Sequence, residues 1–446
     1  MKKQIKQLSI IVTLWASVQL AGAQTFIPLY SFGTVPDGSL PRASLMQASD
    51  GYLYGTAPDG GSSFNGMIFR ITTNGMYAPF YSFTGAHDGV NPGCDLVQAS
   101  DGYLYGTAVN GGTNNLGTVF RISTNGIMTP LYSFIGTNDG SHPIAGLVQA
   151  SDGYLYGTTQ NGSTNNDGTI FRISTNGVLT PLHTFMGNDG SIPLASLVQA
   201  SDGNLYGTTE LGGTNNFGTV FRITTNGAFT SLCSFTDGND GAFPWAGLLK
   251  ASDGNLYGTA IGGGNNGKGS GTVFRFTTNG ILTTLYSFTY GNDGGEPLGG
   301  LVQANDGYLY GTTTAAGGIH NDGTIFRITT NGVFTALYSF TGGHDGANPY
   351  TGLVQANNLN FYGTARVGGT NDYGTIFELT LPPPILNISP DGNQSIVLWP
   401  AWATNYVLQT ATNLASPNWV TLSNSLPPTV IVTNSLPAQF FRLANP

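Results

Sequence analysis

The chain has 446 residues, of which only 8% are charged and 66 are glycine, against about 25% charged in ordinary soluble domains. Its net charge of -9 comes mostly from isolated aspartates, and the 14 basic residues do not cluster after residue 6. The electrostatic footprint of a nucleic-acid binder is therefore missing, and anionic polymers and acidic lipid surfaces are poor candidate partners.

Residues 1–23 read as a secretory signal. Lys2, Lys3 and Lys6 form a basic start, 8–20 a mainly apolar stretch, and Ala21-Gly22-Ala23 a small-residue cleavage site before Gln24. The apolar stretch is shorter than the roughly 20 residues needed to span a bilayer. The mature protein is expected to be secreted or at the cell surface, with no membrane insertion after cleavage. Next comes 26–32 (FIPLYSF), which has the pattern of the last strand of a repeat before any repeat has begun.

The repeats start at Leu45. The motif LYGT begins at Leu53, Leu104, Leu155, Leu205, Leu256 and Leu309, with FYGT at Phe361, so successive copies lie 50 to 53 residues apart. A period in that range marks units that bury their apolar faces only against their neighbours. In the unit at 147–185 a short apolar run (LVQA) is followed by a tight SDG turn and the run YLYGT. A Gly/Asn-rich stretch at 160–168, the run TIFRIS, an Asn176-Gly177 hairpin signal and 178–185 (VLTPLHTF) complete it. That predicts four antiparallel strands per unit and no helix. Seven such units describe an all-β, seven-bladed β-propeller over 24–381 better than a parallel β-helix, whose coils are shorter and lack paired hairpin turns. The seventh unit stops at its third strand, 374–379, and the early strand at 26–32 supplies the missing fourth, which predicts a ring closed by the N-terminal strand. Cys94 and Cys233 occupy non-equivalent positions in different repeats and are expected to be unbridged, buried small hydrophobes.

Thirteen of the 23 acidic residues fall at two repeated turn positions: Asp50, Asp101, Asp152, Asp202, Asp253 and Asp306, and Asp37, Asp88, Asp139, Asp189, Asp240, Asp293 and Asp345. Asp before Gly caps a turn through backbone N–H groups. Arg70, Arg121, Arg172, Arg222, Arg275 and Arg327 recur in the third strand, with Glu378 in the seventh copy. They are expected to fasten one blade to the next by gripping turn aspartates and nearby carbonyls, bidentate pairing being the strong form. The five histidines show no zinc spacing and no loop has the alternating acids of a calcium cage, so no metal site and no cofactor are assigned.

After Leu381 the composition changes. Residues 382–387 open with Pro382-Pro383-Pro384, a stiff linker. Short strands are then predicted at 394–399, 405–410, 419–422, 429–433 and 439–443, a small β-sandwich over 388–446.

With turn, strand and loop letters recurring in register over 25–381 (NDGxxPxxxLVQASDGxLYGTTxxGGTNNxGTxFRIxTNG), the chain resembles the GloVer-type tandem repeats of secreted bacterial proteins. That resemblance implies a secreted, propeller-like module with varied C-terminal attachments and carries no particular activity. More distantly the repeat is similar to NHL propellers, which would make LVQA the innermost strand of each blade. The paired glycines at Gly111-Gly112 and Gly212-Gly213 are kelch-like, without the Trp expected of kelch. The C-terminal segment resembles a fibronectin type III domain, though about 60 residues is small for one.

The SDG and TNG turns are expected on one face of the ring and the longer GGTNN and NDG loops on the other, where a site would be built. The departures from the repeat on that side are Asp59, Asp95, Glu210, Trp245, Lys250, Glu296 and Arg366. They are scattered over different blades, and neither an Asp-box tryptophan nor a GxSxG element is present, so no catalytic residue is assigned. The expected function is a monomeric, non-enzymatic binding propeller that recognises a polysaccharide or a surface protein. Trp245, Tyr350, Phe217 and Tyr373 would supply stacking contacts and Asp95, Glu210 and Glu296 polar ones. The alternatives are a carbohydrate-active hydrolase or lyase using two non-repeated carboxylates, and a structural surface or matrix component.

Overall fold

The computed structural model describes residues 24–444 except 34, 163–164, 265–268, 383, 392–393, 400–402, 404–405, 413–417, 423–428 and 434–439. The expected signal segment, 1–23, lies outside the described residues. Phe26–Thr380 forms one compact unit, and the chain from Leu381 onward falls in a second.

The first unit carries seven four-stranded antiparallel sheets. The third shows how sequence becomes structure. Its strands, in spatial order, are Val148–Gln149, Leu155–Thr159, Thr169–Ile173 and Leu179–Thr184. Between the first two, Gly153 takes a left-handed φ of 84° while Asp152 Oδ1 accepts the Tyr154 N–H at 3.1 Å, the cap that Asp-Gly chemistry provides. The second strand is buried along its whole length. Its glycine is a packing requirement: a Cβ on Gly157 would sit 2.6 Å from Phe171 Cζ and 2.7 Å from Leu147 Cδ2. The register of the third and fourth strands shifts between Ile170 and Phe171, and Pro181 lies opposite Phe171. A bulge and a proline both suit an outer strand that must not template further pairing. The first strand has only two residues, shorter than the four-residue LVQA run suggested.

No sheet buries its faces alone. Ala150, Tyr156, Ile170 and Phe185 of the third sheet form one cluster with Leu197, Leu205, Phe221 and Ile223 of the fourth. The same arrangement joins the last sheet to the first, where Phe32, Tyr362 and Ile376 pack with Leu45, Leu53, Phe69 and Ile71. The seventh sheet runs Thr25–Ser31, Thr375–Thr380, Phe361–Ala365, Val354–Gln355, so the N-terminal strand occupies its outer edge. From there Phe26 stacks on Tyr338 of the sixth sheet and Tyr30 on Tyr77 of the first, each with ring centroids 3.9 Å apart.

The second unit contains two three-stranded antiparallel sheets. One joins Asn387–Asp391, Gln394–Leu398 and Thr429–Thr433; the other joins Val420–Thr421, Val407–Ala411 and Phe440–Ala444. Val397, Trp399, Ala403 and Leu408 are its buried core. The strand Asn387–Asp391 was not foreseen from the sequence and begins inside the expected linker.

Candidate functional site

Two recurring series of polar side chains join one sheet to the next. Gln98 Oε1 accepts the Ser49 N–H of the first sheet at 2.8 Å, and Gln149, Gln199, Gln303 and Gln355 do the same to Ser100, Ser151, Ser252 and Asn305. Gln47 accepts the Asn357 N–H at 2.8 Å, linking the first sheet to the seventh. The Lys250 ammonium, which can only donate, replaces this glutamine in the fifth sheet. A second series comes from the LYGT threonines: Thr56 Oγ1 donates to the Cys94 carbonyl and Thr107 to Ala145, both at 3.0 Å, through to Thr364, which donates to Ala43 at 3.5 Å. Neither series was singled out from sequence, although Gln and Thr recur with the same period as Arg.

The arginine–aspartate fastening is corrected by the structure. Among the described residues no arginine lies within 4.0 Å of a carboxylate; His183 Nε2 lies 3.0 Å from Asp189 Oδ2, an ion pair only when the imidazole is protonated. The turn aspartates are taken by tyrosine hydroxyls: Tyr105 donates to Asp101 and Tyr156 to Asp152 at 2.6 Å, Tyr206 to Asp202 at 2.8 Å and Tyr257 to Asp253 at 2.7 Å. The second set behaves alike, with Tyr132 on Asp139, His183 on Asp189, and Thr236 on Asp240. A side chain four to seven residues away, in most copies a tyrosine, reaches each of these carboxylates at little entropic cost, which leaves the guanidinium free to stack. Arg70, Arg121, Arg172 and Arg327 lie over the rings of Tyr52, Tyr103, Tyr154 and Tyr308. Two of them also bridge sheets, through carbonyls: Arg121 Nη1 donates to Thr175 and Arg172 Nη1 to Thr225, both at 3.2 Å. Cys94 and Cys233 are unbridged, Cys94 buried and Cys233 only half-buried.

The loops on the other side are also stitched. The residue before each loop proline (Leu40, Asn91, His142, Ile192, Phe243, Glu296, Asn348) has a left-handed φ between 52° and 57°, and its N–H donates to the preceding sheet's loop, as Glu296 does to Ser270 and Leu40 to Tyr373. Glu296 is thus held as part of the frame, and its carboxylate accepts the Tyr290 hydroxyl. Phe217 packs edge-on against Phe243 at 5.5 Å and joins a sheet-to-sheet core. Tyr373 is 38% exposed and shares no ring contact with the other aromatic candidates.

Two candidates do meet. Trp245 enters the fifth sheet and Tyr350 the seventh, yet their rings lie edge to face, 6.4 Å apart. The Arg366 guanidinium sits over the Tyr350 ring at 5.3 Å. All three residues are half-exposed. The equivalents of Trp245 and Tyr350 in the other repeats are Arg42, Gly93, Ile144, Leu194 and Leu298, and those of Arg366 are Pro58, Val109, Gln160, Glu210, Ile261 and Thr314.

The segments entering the sheets converge closely. A Cβ on Gly146 would meet the Asp95 carbonyl at 2.7 Å and Ser196 Oγ at 3.0 Å, and one on Gly352 the Gly300 carbonyl at 2.7 Å. Asp95 is the one acidic member of this set; its Oδ1 accepts the Ser44 N–H at 2.6 Å. Desolvation by surrounding protein pushes its carboxyl up, opposed by that hydrogen bond, and the water that reaches the side chain limits the rise. Burial also raises Glu210. Asp95, Glu210 and Glu296 belong to the second, fourth and sixth repeats and make no hydrogen bond to one another. Among the described residues no three His, Cys, Asp or Glu side chains gather. On the turn side, a cavity of about 490 Å³ lies where the seventh, first and second sheets meet, lined by Leu45, Met46, Gln47, Gln98, Val354 and Gln355; its glutamines are already committed to sheet-to-sheet bonds.

Comparison with known proteins follows the repeats. The model of a Gloeobacter/Verrucomicrobia repeat matches residues 16–201 and 180–377. No curated protein matches the sequence. Among solved structures, the extracellular domain of a hybrid two component system from B. thetaiotaomicron is similar at TM-score 0.55 and 11% identity, over 95% of this chain and 55% of that one. A puromycin-hydrolyzing peptidase of Mycobacterium tuberculosis is similar at TM-score 0.50 and 12% identity, over 83% of this chain and 61% of that one. The chain thus spans less than two thirds of either. At such identities the likeness concerns the fold, a propeller-like arrangement of repeated sheets. No helix among the described residues is long and apolar enough to cross a membrane.

Proposed function

Because the chain belongs to the Gloeobacter/Verrucomicrobia repeat family, we propose that Phe26–Thr380 closes into a seven-bladed propeller, exported from the cell, which acts as a binding module for a polysaccharide. Closure is supported by the N-terminal strand in the seventh sheet and by the glutamine, threonine and core contacts that join that sheet to the first. The C-terminal unit reads as a small fibronectin type III-like sandwich, on the strength of its two three-stranded sheets.

The observation that carries the binding function is the pairing of Trp245 with Tyr350 across an intervening blade. Aromatic faces half-open to water cost free energy unless something covers them, and the flat C–H face of a pyranose is suited to do so. The non-repeated carboxylates come from separate blades, which gives a binding surface better support than a paired acid/base machine. Screening the full chain on a glycan array is the test, with Trp245→Ala as the control. Binding of at least one glycan by the wild type and its loss in the variant are expected; an array that stays blank for the wild type would remove the proposal.

A further inference from the structure

Resting on that reading, we infer that the polysaccharide is acidic and that Arg366 recognises the carboxylate of a hexuronic acid unit beside the Trp245–Tyr350 pair. Around this pair the protein leaves donors unpaired. The Trp245 indole N–H, the Tyr350 hydroxyl and the Arg366 guanidinium make no hydrogen bond to another described residue; Arg366 Nε is buried without a partner, as are those of Arg70, Arg121, Arg172, Arg275 and Arg327, and what sets Arg366 apart is its place beside Trp245 and Tyr350. Indole and guanidinium can only donate, so a ligand that pairs with them brings acceptors. No carboxylate of the described residues lies within ion-pair distance of Arg366. In a chain with 14 basic residues, an unpaired guanidinium stands where six other repeats carry proline, aliphatic, amide, acidic or hydroxyl side chains, and it does so against Tyr350.

The planar fork of a guanidinium matches a carboxylate in two parallel hydrogen bonds, and Tyr350 lies beneath it. A sugar ring on Trp245 with a C5 carboxylate turned toward Arg366 would use the aromatic face and the donors together. The net charge of -9 sets the limit: the surface suits one carboxylate per binding event, in a glycan of sparse charge, and the salt dependence should be that of a single pair.

The test is titration of the full chain with a hexuronic-acid oligosaccharide, with the same oligosaccharide after reduction of its carboxyls to primary alcohols, and with an O-sulfated neutral one. The native acid should bind about tenfold more tightly than the reduced form, the increment of one charge-assisted pair. Arg366→Gln should abolish that preference while still binding the reduced form, Arg366→Lys should keep part of it, and Trp245→Ala should weaken both ligands. Equal affinity for native and reduced forms, or tighter binding of the sulfated one, overturns the carboxylate assignment while leaving glycan binding in place. Binding of an acidic peptide with no glycan bound overturns both. The comparison of two ligands on the wild type decides the matter even if a variant fails to fold.

Discussion

Gln149 accepts the Ser100 N–H through Oε1 and donates from Nε2 to the Gly153 carbonyl at 3.1 Å, so one amide ties two sheets and a turn together. Only a side chain with both a donor and an acceptor can do this. Gln149→Ala should therefore lower stability by about 0.5–1.5 kcal/mol. Lys250→Gln should raise it by a similar amount by restoring the missing link between the fourth and fifth sheets; denaturant midpoints measure both, and a destabilised Lys250→Gln would show that the lysine has a contact of its own. His183 holds the place that Tyr30, Tyr81, Tyr132, Tyr286 and Tyr338 fill elsewhere, stacked on Phe229 at 3.7 Å with Nε2 3.0 Å from Asp189. Burial pushes its imidazole below the ordinary value of 6.5, more than Asp189 raises it. The folded protein then favours the neutral ring, the unfolded chain takes up the proton first, and stability falls as pH drops below about 7. His183→Tyr should lose that slope, so the wild type should weaken relative to the variant between about pH 7.5 and pH 5.5. Parallel profiles would mean that the Asp189 pairing outweighs desolvation.

Within one sheet, the second strand decides how tightly neighbours can pack. Gly157→Ala would drive a methyl group into Phe171 and Leu147, and overpacking of that kind costs about 1–3 kcal/mol; a calorimetric midpoint equal to the wild type's would refute the packing account of LYGT. The tyrosine before each of these glycines is expected to matter at high pH. Desolvation and the turn aspartate raise Tyr105, Tyr206 and Tyr257 to about 12. Their contribution is complete below the unfolded value of 10 and fades as pH rises from 10 toward 12, so unfolding should accompany tyrosine ionisation seen by absorbance in that range. At this scale the strands, the tight turns and the capping role of Asp were legible, because each depends on neighbours in sequence. The arginine partners were not. Arg and Asp recurred with the same period, and opposite charge suggested a pair, but Tyr105, four residues from Asp101, reaches it first. Gln and Thr carried the sheet-to-sheet bonds without any charge to draw notice. Trp245 could be named from sequence as an exception to the repeat and Tyr350 as a stacking candidate, whereas their contact depends on where two non-adjacent sheets converge.

Across the first unit the junctions between consecutive sheets share a common set of parts, the fourth-to-fifth junction lacking the glutamine, and the junction of the seventh with the first uses the set too: Gln47 with Asn357, Thr364 with Ala43, Tyr362 with Thr73 and Leu40 with Tyr373. What differs is that the seventh sheet takes its outer strand from the other end of the chain. Phe26 touches Tyr338, Phe340 and Phe377, and Phe32 is wholly buried. Burial of a single phenylalanine contributes about 1.5–3 kcal/mol, so a chain lacking residues 24–33 should lose several kcal/mol and expose the Thr375–Thr380 edge. A synthetic peptide of residues 24–33 should restore the lost stability in proportion to its concentration, because it binds only the folded ring. If closure by the N-terminal strand is wrong, the shortened chain will melt at the full-length temperature as a monomer and the peptide will change nothing. Dimerisation of the shortened chain through the exposed edges would instead be closure by other means, the open strand finding in a second copy the partner it has lost.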